Sequence, residues 1–140
     1  MAFIRKIFIR VSILLYQKSG GLLGSRLGNQ KILLLQTVGR KSGKTFISPL
    51  AYFRDGENYL IVASNWGSET PPNWYKNISR MARTTIQVGS RIIAVEARSA
   101  EGIEYERLWK LVSTQSPFYA KYQEDLVRRI PVVVLAPVEK

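Results

Sequence analysis

Apolar residues recur at helical spacing from Phe3 to Gln17. On a wheel Phe3, Ile4, Ile7, Phe8, Val11, Leu14 and Leu15 share a broad face, and Ile9, Ile13 and Tyr16 form a narrower strip opposite. The spacing predicts an amphipathic helix flanked by Arg5, Lys6 and Arg10. Ser19–Gly28, with four glycines, reads as a loop. The pattern then changes period. Lys31–Val38 is a buried strand with an Ile-Leu-Leu-Leu centre, and Lys44–Arg54 a second strand in which Pro49 marks a bulge or an edge. Asp55-Gly56 turns the chain into the strand Tyr59–Ser64. Pro71-Pro72 precedes a short helix, Asn73–Met81. Thr84–Val88 and Arg91–Arg98 form a hairpin about Gly89-Ser90.

Ser99 is placed to cap the next helix, where Tyr105, Leu108, Trp109 and Val112 fall at helical spacing. A further helix is predicted over Pro117–Arg129, and Ile130–Leu135 closes the chain as a strand. Hairpin-linked strands with helices at the start, middle and end predict an α+β fold built on an antiparallel sheet or small barrel. With 140 residues and no linker or repeat, residues 1–140 read as one domain, 1–28 being the amphipathic helix and its loop.

Composition narrows the chemistry. Hydrophobic residues at 46% and aromatics at 11% are enough for a packed core. No cysteine means no disulfide, thiolate metal site or thiol nucleophile, which fits a reducing compartment. No histidine means no Ser-His-Asp arrangement and no His-metal site, so no metal is expected. None of the ten acids forms a recognisable catalytic pair. An enzyme of this composition needs a cofactor to carry the chemistry.

Charge is distributed unevenly. The net charge is +11, yet Met1–Arg54 holds ten Lys or Arg and no acid, leaving eleven bases against ten acids afterwards. The N-terminal third therefore points to an anionic partner. No nucleic-acid-binding motif is present, so nucleic acid is not expected. Three charges within the first ten residues exclude a membrane span, and the short apolar run Val11–Tyr16 without a small-residue cleavage site argues against a signal peptide. An acid-poor transit peptide, a helix covering the core or buried in a homodimer, and a helix that also touches a membrane surface stay open. For the last, the broad face is expected to dock on the domain, leaving Ile9, Ile13 and Tyr16 for lipid.

Between the first two strands, Gly39-Arg40-Lys41-Ser42-Gly43-Lys44 offers backbone N–H groups, cations and a hydroxyl to an anion. It differs from a P-loop, having three residues between its glycines and a strand rather than a helix after it. Ala63-Ser64-Asn65-Trp66-Gly67 at a strand end, Pro72-Asn73-Trp74-Tyr75-Lys76-Asn77, and Tyr119 with Tyr122 offer donors and aromatic walls to a planar ligand.

Together these segments resemble the deazaflavin (coenzyme F420)-dependent nitroreductase and quinone reductase family. Matching residues are Thr37–Gly43, Ser48-Pro49-Leu50, Arg54-Asp55-Gly56, Ala63-Ser64 with Gly67, Pro72, Trp74-Tyr75, Asn77, Gln87-Val88, Tyr119, Tyr122-Gln123, Arg128 and Ile130–Val133. The resemblance implies a split β-barrel with flanking helices that binds reduced coenzyme F420. It implies hydride transfer to a quinone, nitro compound or similar hydrophobic acceptor. Gly39, Arg40, Lys41, Ser42 and Lys44 would hold the cofactor's phosphate and acidic tail. Ser48, Pro49, Leu50, Ser64, Asn65, Trp74 and Asn77 would complete the cofactor set, and Ser64, Tyr119 and Tyr122 are the catalytic candidates. The location implied is cytoplasmic, with peripheral contact at the inner face of the cell membrane. The alternative is a non-catalytic barrel that binds a lipid or other hydrophobic ligand. Four positions depart from the family's pattern: Phe46 where a second basic residue is common, Ser116 where an aromatic is usual, Trp66 for a glycine and Val127 for an aspartate.

Overall fold

The computed structural model describes residues 2–138; Met1, Glu139 and Lys140 lie outside them, as do the side chains of Ala2 and Phe3. Six strands close a barrel. β2 (Gln30–Val38), β3 (Thr45–Asp55), β4 (Asn58–Val62), β7 (Val132–Pro137), β6 (Arg91–Ser99) and β5 (Arg83–Val88) follow one another around it. Every pairing is antiparallel, and Leu34↔Gln87 with Leu35↔Ile86 joins β5 back to β2. The short β1 (Arg26–Leu27) adds to β2 inside the segment predicted as loop.

Alternation along each strand decides which side chains fill the barrel. Leu33, Leu35, Tyr59, Ile61, Ile86, Val95, Val133 and Leu135 meet in its interior, and Trp74 and Ile78 of α2 (Asn73–Arg80) join them. A second core lies outside the wall. There Leu60, Val62, Val132 and Val134 pack under Tyr105, Leu108 and Val112 of α3 (Gly102–Gln115) and Tyr119 of α4 (Phe118–Glu124). β4 and β7 are thus buried on both faces, which is why Leu60–Val62 and Val132–Leu135 read as unbroken apolar runs.

Pro49 sits at an edge, not a bulge. Its register with β2 is continuous, Pro49 opposite Leu34, while β4 pairs with β3 only over Phe53–Asp55. Three expectations at element ends are corrected. Ser99 caps no helix; it ends β6 and its hydroxyl bonds Tyr75 Oη at 2.9 Å, leaving Glu101 to precede α3. The last helix stops at Glu124 instead of Arg129. The side chain of Gln123 takes over the backbone beyond it, donating to Arg128 O and accepting from Ile130 N, both at 2.8 Å. Ser64 ends no strand but opens a 3-10 turn, Asn65–Gly67.

α1 (Ala2–Ser19) forms as predicted and docks the other way round. Ile9 and Ile13 are half-buried and Tyr16 is 1% exposed, whereas Ile4, Ile7, Phe8, Val11, Leu14 and Leu15 of the broad face are all exposed. The reason is a hydrogen-bonding socket. Tyr16 Oη accepts from Gly89 N at 2.9 Å, and its single proton is shared between Ile32 O at 2.9 Å and Gln87 O at 3.2 Å. The helix ends in a Schellman arrangement, Gly21 N bonding Tyr16 O at 2.9 Å, with Gly20 at φ 64° supplying the left-handed residue.

Titration follows from the same burial. Desolvation raises the pKa of Tyr16, Tyr52 and Tyr105 and pushes Tyr119 up to about 12, while hydrogen bonds from Arg107 and Arg98 lower Asp55 and Glu104. Unfolded tyrosine ionises near pH ~10, so the unfolded state sheds protons first and stability should fall from there toward pH 12. The lowered carboxylates lose their contribution as pH falls below roughly 4. With no histidine or cysteine between these limits, urea midpoints should be flat from about pH 6 to 9. A slope across that window would reveal a further titrating group in the folded protein.

Candidate functional site

The loop between β2 and β3 is closed at its base by Gly39 N to Lys44 O at 2.7 Å and tightened by Gly43 N to Gly39 O at 2.9 Å. Ser42 Oγ accepts from Lys44 N at 3.2 Å. Beside it opens a cleft of about 410 Å³. Of the predicted set, Gly39, Arg40, Lys41, Ser42, Ser48, Trp74 and Asn77 line this cleft. Lys44, Pro49, Leu50, Ser64 and Asn65 do not, nor do Tyr119 and Tyr122. Lys44 is exposed at the loop's end, Pro49 and Leu50 continue β3 away from the cleft, and Leu50 packs against the barrel core.

Arg40 is held from below. Asn77 Oδ1 accepts from Arg40 N at 3.2 Å and from Arg40 Nη1 at 3.0 Å, while Asn77 Nδ2 donates to Thr37 Oγ1 at 3.3 Å. Asn77 is 4% exposed and its amide is committed to these bonds. A neutral amide orients the guanidinium without cancelling its charge. The three ion pairs among the described residues, Arg83–Glu96, Arg98–Glu104 and Arg107–Asp55, leave Arg40, Lys41 and Lys44 unneutralised. Lys41 N and Ser42 N have no hydrogen-bond partner among the described residues. Cations, a hydroxyl and two free amides on one glycine-closed loop suit a phosphate or carboxylate. The cradle leaves no spare room at its base. A Cβ on Gly39 would stand 2.7 Å from both Phe46 Cε2 and Ser42 Oγ. The Phe46 ring therefore covers the loop's backbone.

Thr37, Phe46, Ile47 and Asn73 also line the cleft; the first two and Asn73 lie in segments the sequence marked but were not assigned to the cofactor, and Ile47 was not marked at all. Thr37 carried a signal, as it follows Leu33 and Leu35 at period two and so is the polar end of an inward-facing row.

A second group lies at the turn after β4. Ser64 is buried at 8% and its carbonyl accepts from Arg128 Nη2 at 2.8 Å; Asn65 Nδ2 donates to Thr70 O at 3.0 Å. Tyr122 is half-buried with its ring against Gly67, where an added Cβ would stand 2.9 Å away. Tyr119 lies in the second core, and burial keeps its hydroxyl protonated up to about pH 12. It can donate a hydrogen bond at neutral pH but does not release its proton there. Ser116, buried at 6%, accepts from Gln30 Nε2 at 3.4 Å and is tied to β2 by that bond.

A family model for F420H(2)-dependent quinone reductases matches residues 8–137. An F420H(2)-dependent quinone reductase of Mycobacterium tuberculosis is 37% identical over 131 residues, covering 91% of this chain and 88% of that protein. Among solved structures, an F420-H2-dependent reductase, FDR-A, superposes with a TM-score of 0.69 at 37% identity, over 74% of this chain and 92% of its own. A protein described as a domain-swapped dimer superposes with a TM-score of 0.72 at 32% identity, over 96% of this chain and 97% of its own.

Proposed function

Since the chain belongs to the F420H(2)-dependent quinone reductase family, we propose that it holds reduced coenzyme F420 in the Gly39–Lys44 cleft and reduces a quinone. The observation that carries this reading is the uncompensated charge of that loop. Arg40, oriented by Asn77, and Lys41 bind the phosphate and acidic tail, with Ser42 and the free amides of Lys41 and Ser42 completing the grip. Trp74, shared between the cleft and the barrel core, walls the ring. Reduction of a quinone to a quinol takes a hydride and a proton, and the hydride is what reduced F420 supplies when bound. Tyr122 faces the acceptor. Tyr119 stays protonated beneath it and water delivers the proton, since a phenol at about 12 is a poor acid at neutral pH.

Fluorescence titration tests the cofactor first. Oxidised F420 should bind more tightly than FMN, and F420H2 oxidation should accelerate with menadione, with a nitroimidazole run alongside. FMN binding as tight as F420, or no turnover of either acceptor, would overturn the reading.

We further propose that the protein works in the cytoplasm, in contact with an anionic membrane surface that supplies the quinone. No described helix is long and apolar enough to cross a membrane. The exposed face Ile4, Ile7, Phe8, Val11, Leu14 and Leu15 lies instead along one side of α1, among Arg5, Lys6 and Arg10 and without an acid. Each basic residue near such a surface contributes about 1 kcal/mol, so three give roughly 100-fold enrichment that salt weakens. Phe8→Glu should abolish sedimentation with anionic liposomes at low salt while leaving the melting temperature unchanged, because Phe8 is 64% exposed. Wild-type protein that stays in the supernatant and runs as a dimer would assign the face to a second copy instead.

A further inference from the structure

Two non-glycine residues among those described have positive φ, and they are consecutive: Asn65 at 48° and Trp66 at 59°. Left-handed backbone suits asparagine but is an outlier for a side chain as bulky as tryptophan. Trp66 gains no burial in return, being 73% exposed. The surroundings nevertheless hold the turn hard. Arg128 donates to three carbonyls on either side of that turn, Nη1 to Ala63 O at 3.2 Å, Nη2 to Ser64 O at 2.8 Å and Nε to Ser68 O at 3.0 Å. Asn65 adds its bond to Thr70 O, and Gly67 rests on the Tyr122 ring. That ring in turn packs with Phe118 and Tyr119 at centroid distances of 5.7 and 6.5 Å. Strain that the surroundings over-determine is characteristic of sites that use the strained group.

We propose that Trp66 is an acceptor-binding residue whose indole face, held out by the Arg128 clamp one residue before the Gly67–Tyr122 contact, stacks on the ring of a planar quinone and sets which quinones are accepted. The inference rests on the quinone reductase reading above. Arg128 is a positioning residue in this scheme: it touches backbone carbonyls and acts on the acceptor only through the turn. The exposed indole supplies a flat apolar face, and stacking of that kind changes affinity by roughly 3- to 10-fold.

Trp66→Asn is the decisive variant, because asparagine accepts the left-handed backbone and removes only the ring. Its KM for menadione should rise roughly 3- to 10-fold with kcat and the F420 dissociation constant unchanged, and its melting temperature should hold or rise as strain is relieved. Trp66→Phe keeps an aromatic face and should stay within about 2-fold of wild type. Arg128→Gln should raise KM as Trp66→Asn does, again without moving F420 affinity. A readout independent of turnover is the quenching of tryptophan emission by menadione. Both variants lack the Trp66 fluorophore, so the signal comes from Trp74 and Trp109, and its half-saturating menadione concentration should be roughly 3- to 10-fold higher in Trp66→Asn than in Trp66→Phe. An unchanged KM, or the same half-saturating menadione concentration in Trp66→Asn as in Trp66→Phe, overturns the inference. If wild-type protein fails to bind F420, the parent reading falls, and the quenching titration alone still decides the role of Trp66.

Discussion

Asn77→Asp should cost about 100-fold in F420 affinity without unfolding the protein. The amide oxygen of Asn77 already lies 3.0 Å from Arg40 Nη1 and 3.2 Å from Arg40 N. An aspartate fits the same space and turns that neutral contact into an ion pair, so the guanidinium is neutralised before an anion arrives and the new carboxylate repels it. Charge-assisted hydrogen bonds are worth about 1.5–3 kcal/mol, which sets the scale of the loss. Folding should not suffer, since Arg40 gains a partner, although Thr37 Oγ1 loses the amide donor at 3.3 Å. Lys41→Ala provides the control from the other side of the loop. Lys41 is exposed, so its removal should weaken F420 by roughly 10- to 100-fold and leave the cofactor-free melting temperature unchanged. Fluorescence titration and thermal melts on the same samples check both. Full F420 affinity in Asn77→Asp would mean that the loop does not hold the anion.

The largest effect on stability should come from Tyr16. Removing a buried aromatic side chain costs about 3–5 kcal/mol, and Tyr16→Ala also orphans Gly89 N inside the socket. A drop in melting temperature on the order of 10 °C is expected. Tyr16→Phe separates the two contributions. It keeps the ring and loses only the hydroxyl, leaving Gly89 N without its acceptor and Ile32 O and Gln87 O without a donor, at about 1–3 kcal/mol. An 18-residue helix is marginal alone, so in Tyr16→Ala α1 should lose protection against amide exchange before the barrel does. Equal protection of α1 in wild type and Tyr16→Ala would show that the socket does not anchor it.

Much of the fold was legible because local rules agree with the tertiary outcome. The apolar run Ile32–Leu35 marked Lys31–Val38, the turn residues Gly56 and Gly89 marked the hairpins they join, and helical spacing marked Tyr105, Leu108 and Val112; each of these elements lies within a residue or two of its expected place. The Gly39–Lys44 loop was equally readable, since its glycines and cations are contiguous. What contiguity could not say was which neighbours finish the cleft. Thr37 and Asn77 are forty residues apart and meet only because α2 packs on the barrel interior.

Where the reading failed, long-range hydrogen bonds had overruled local pattern. The wider apolar face of α1 is the one a hydrophobic-moment argument would bury. Yet three partners from β2, β5 and the turn after β5 satisfy the Tyr16 hydroxyl, so the narrow strip carrying it docks instead. The predicted helix Pro117–Arg129 ends early for a like reason, with Gln123 bonded to the backbone of Arg128 and Ile130 beyond it and the Arg128 side chain drawn to Ala63 O and Ser64 O. By itself the sequence determined most of the elements, an antiparallel sheet or small barrel of α+β class and the position of the cationic loop, which follow from periodicity and composition within short windows; the split barrel was implied by the family resemblance. Tertiary structure alone decided the face of α1 left bare, the committed role of the Asn77 amide and the strained display of Trp66. Those depend on which distant carbonyls and amides need partners, and that is known only once the barrel closes.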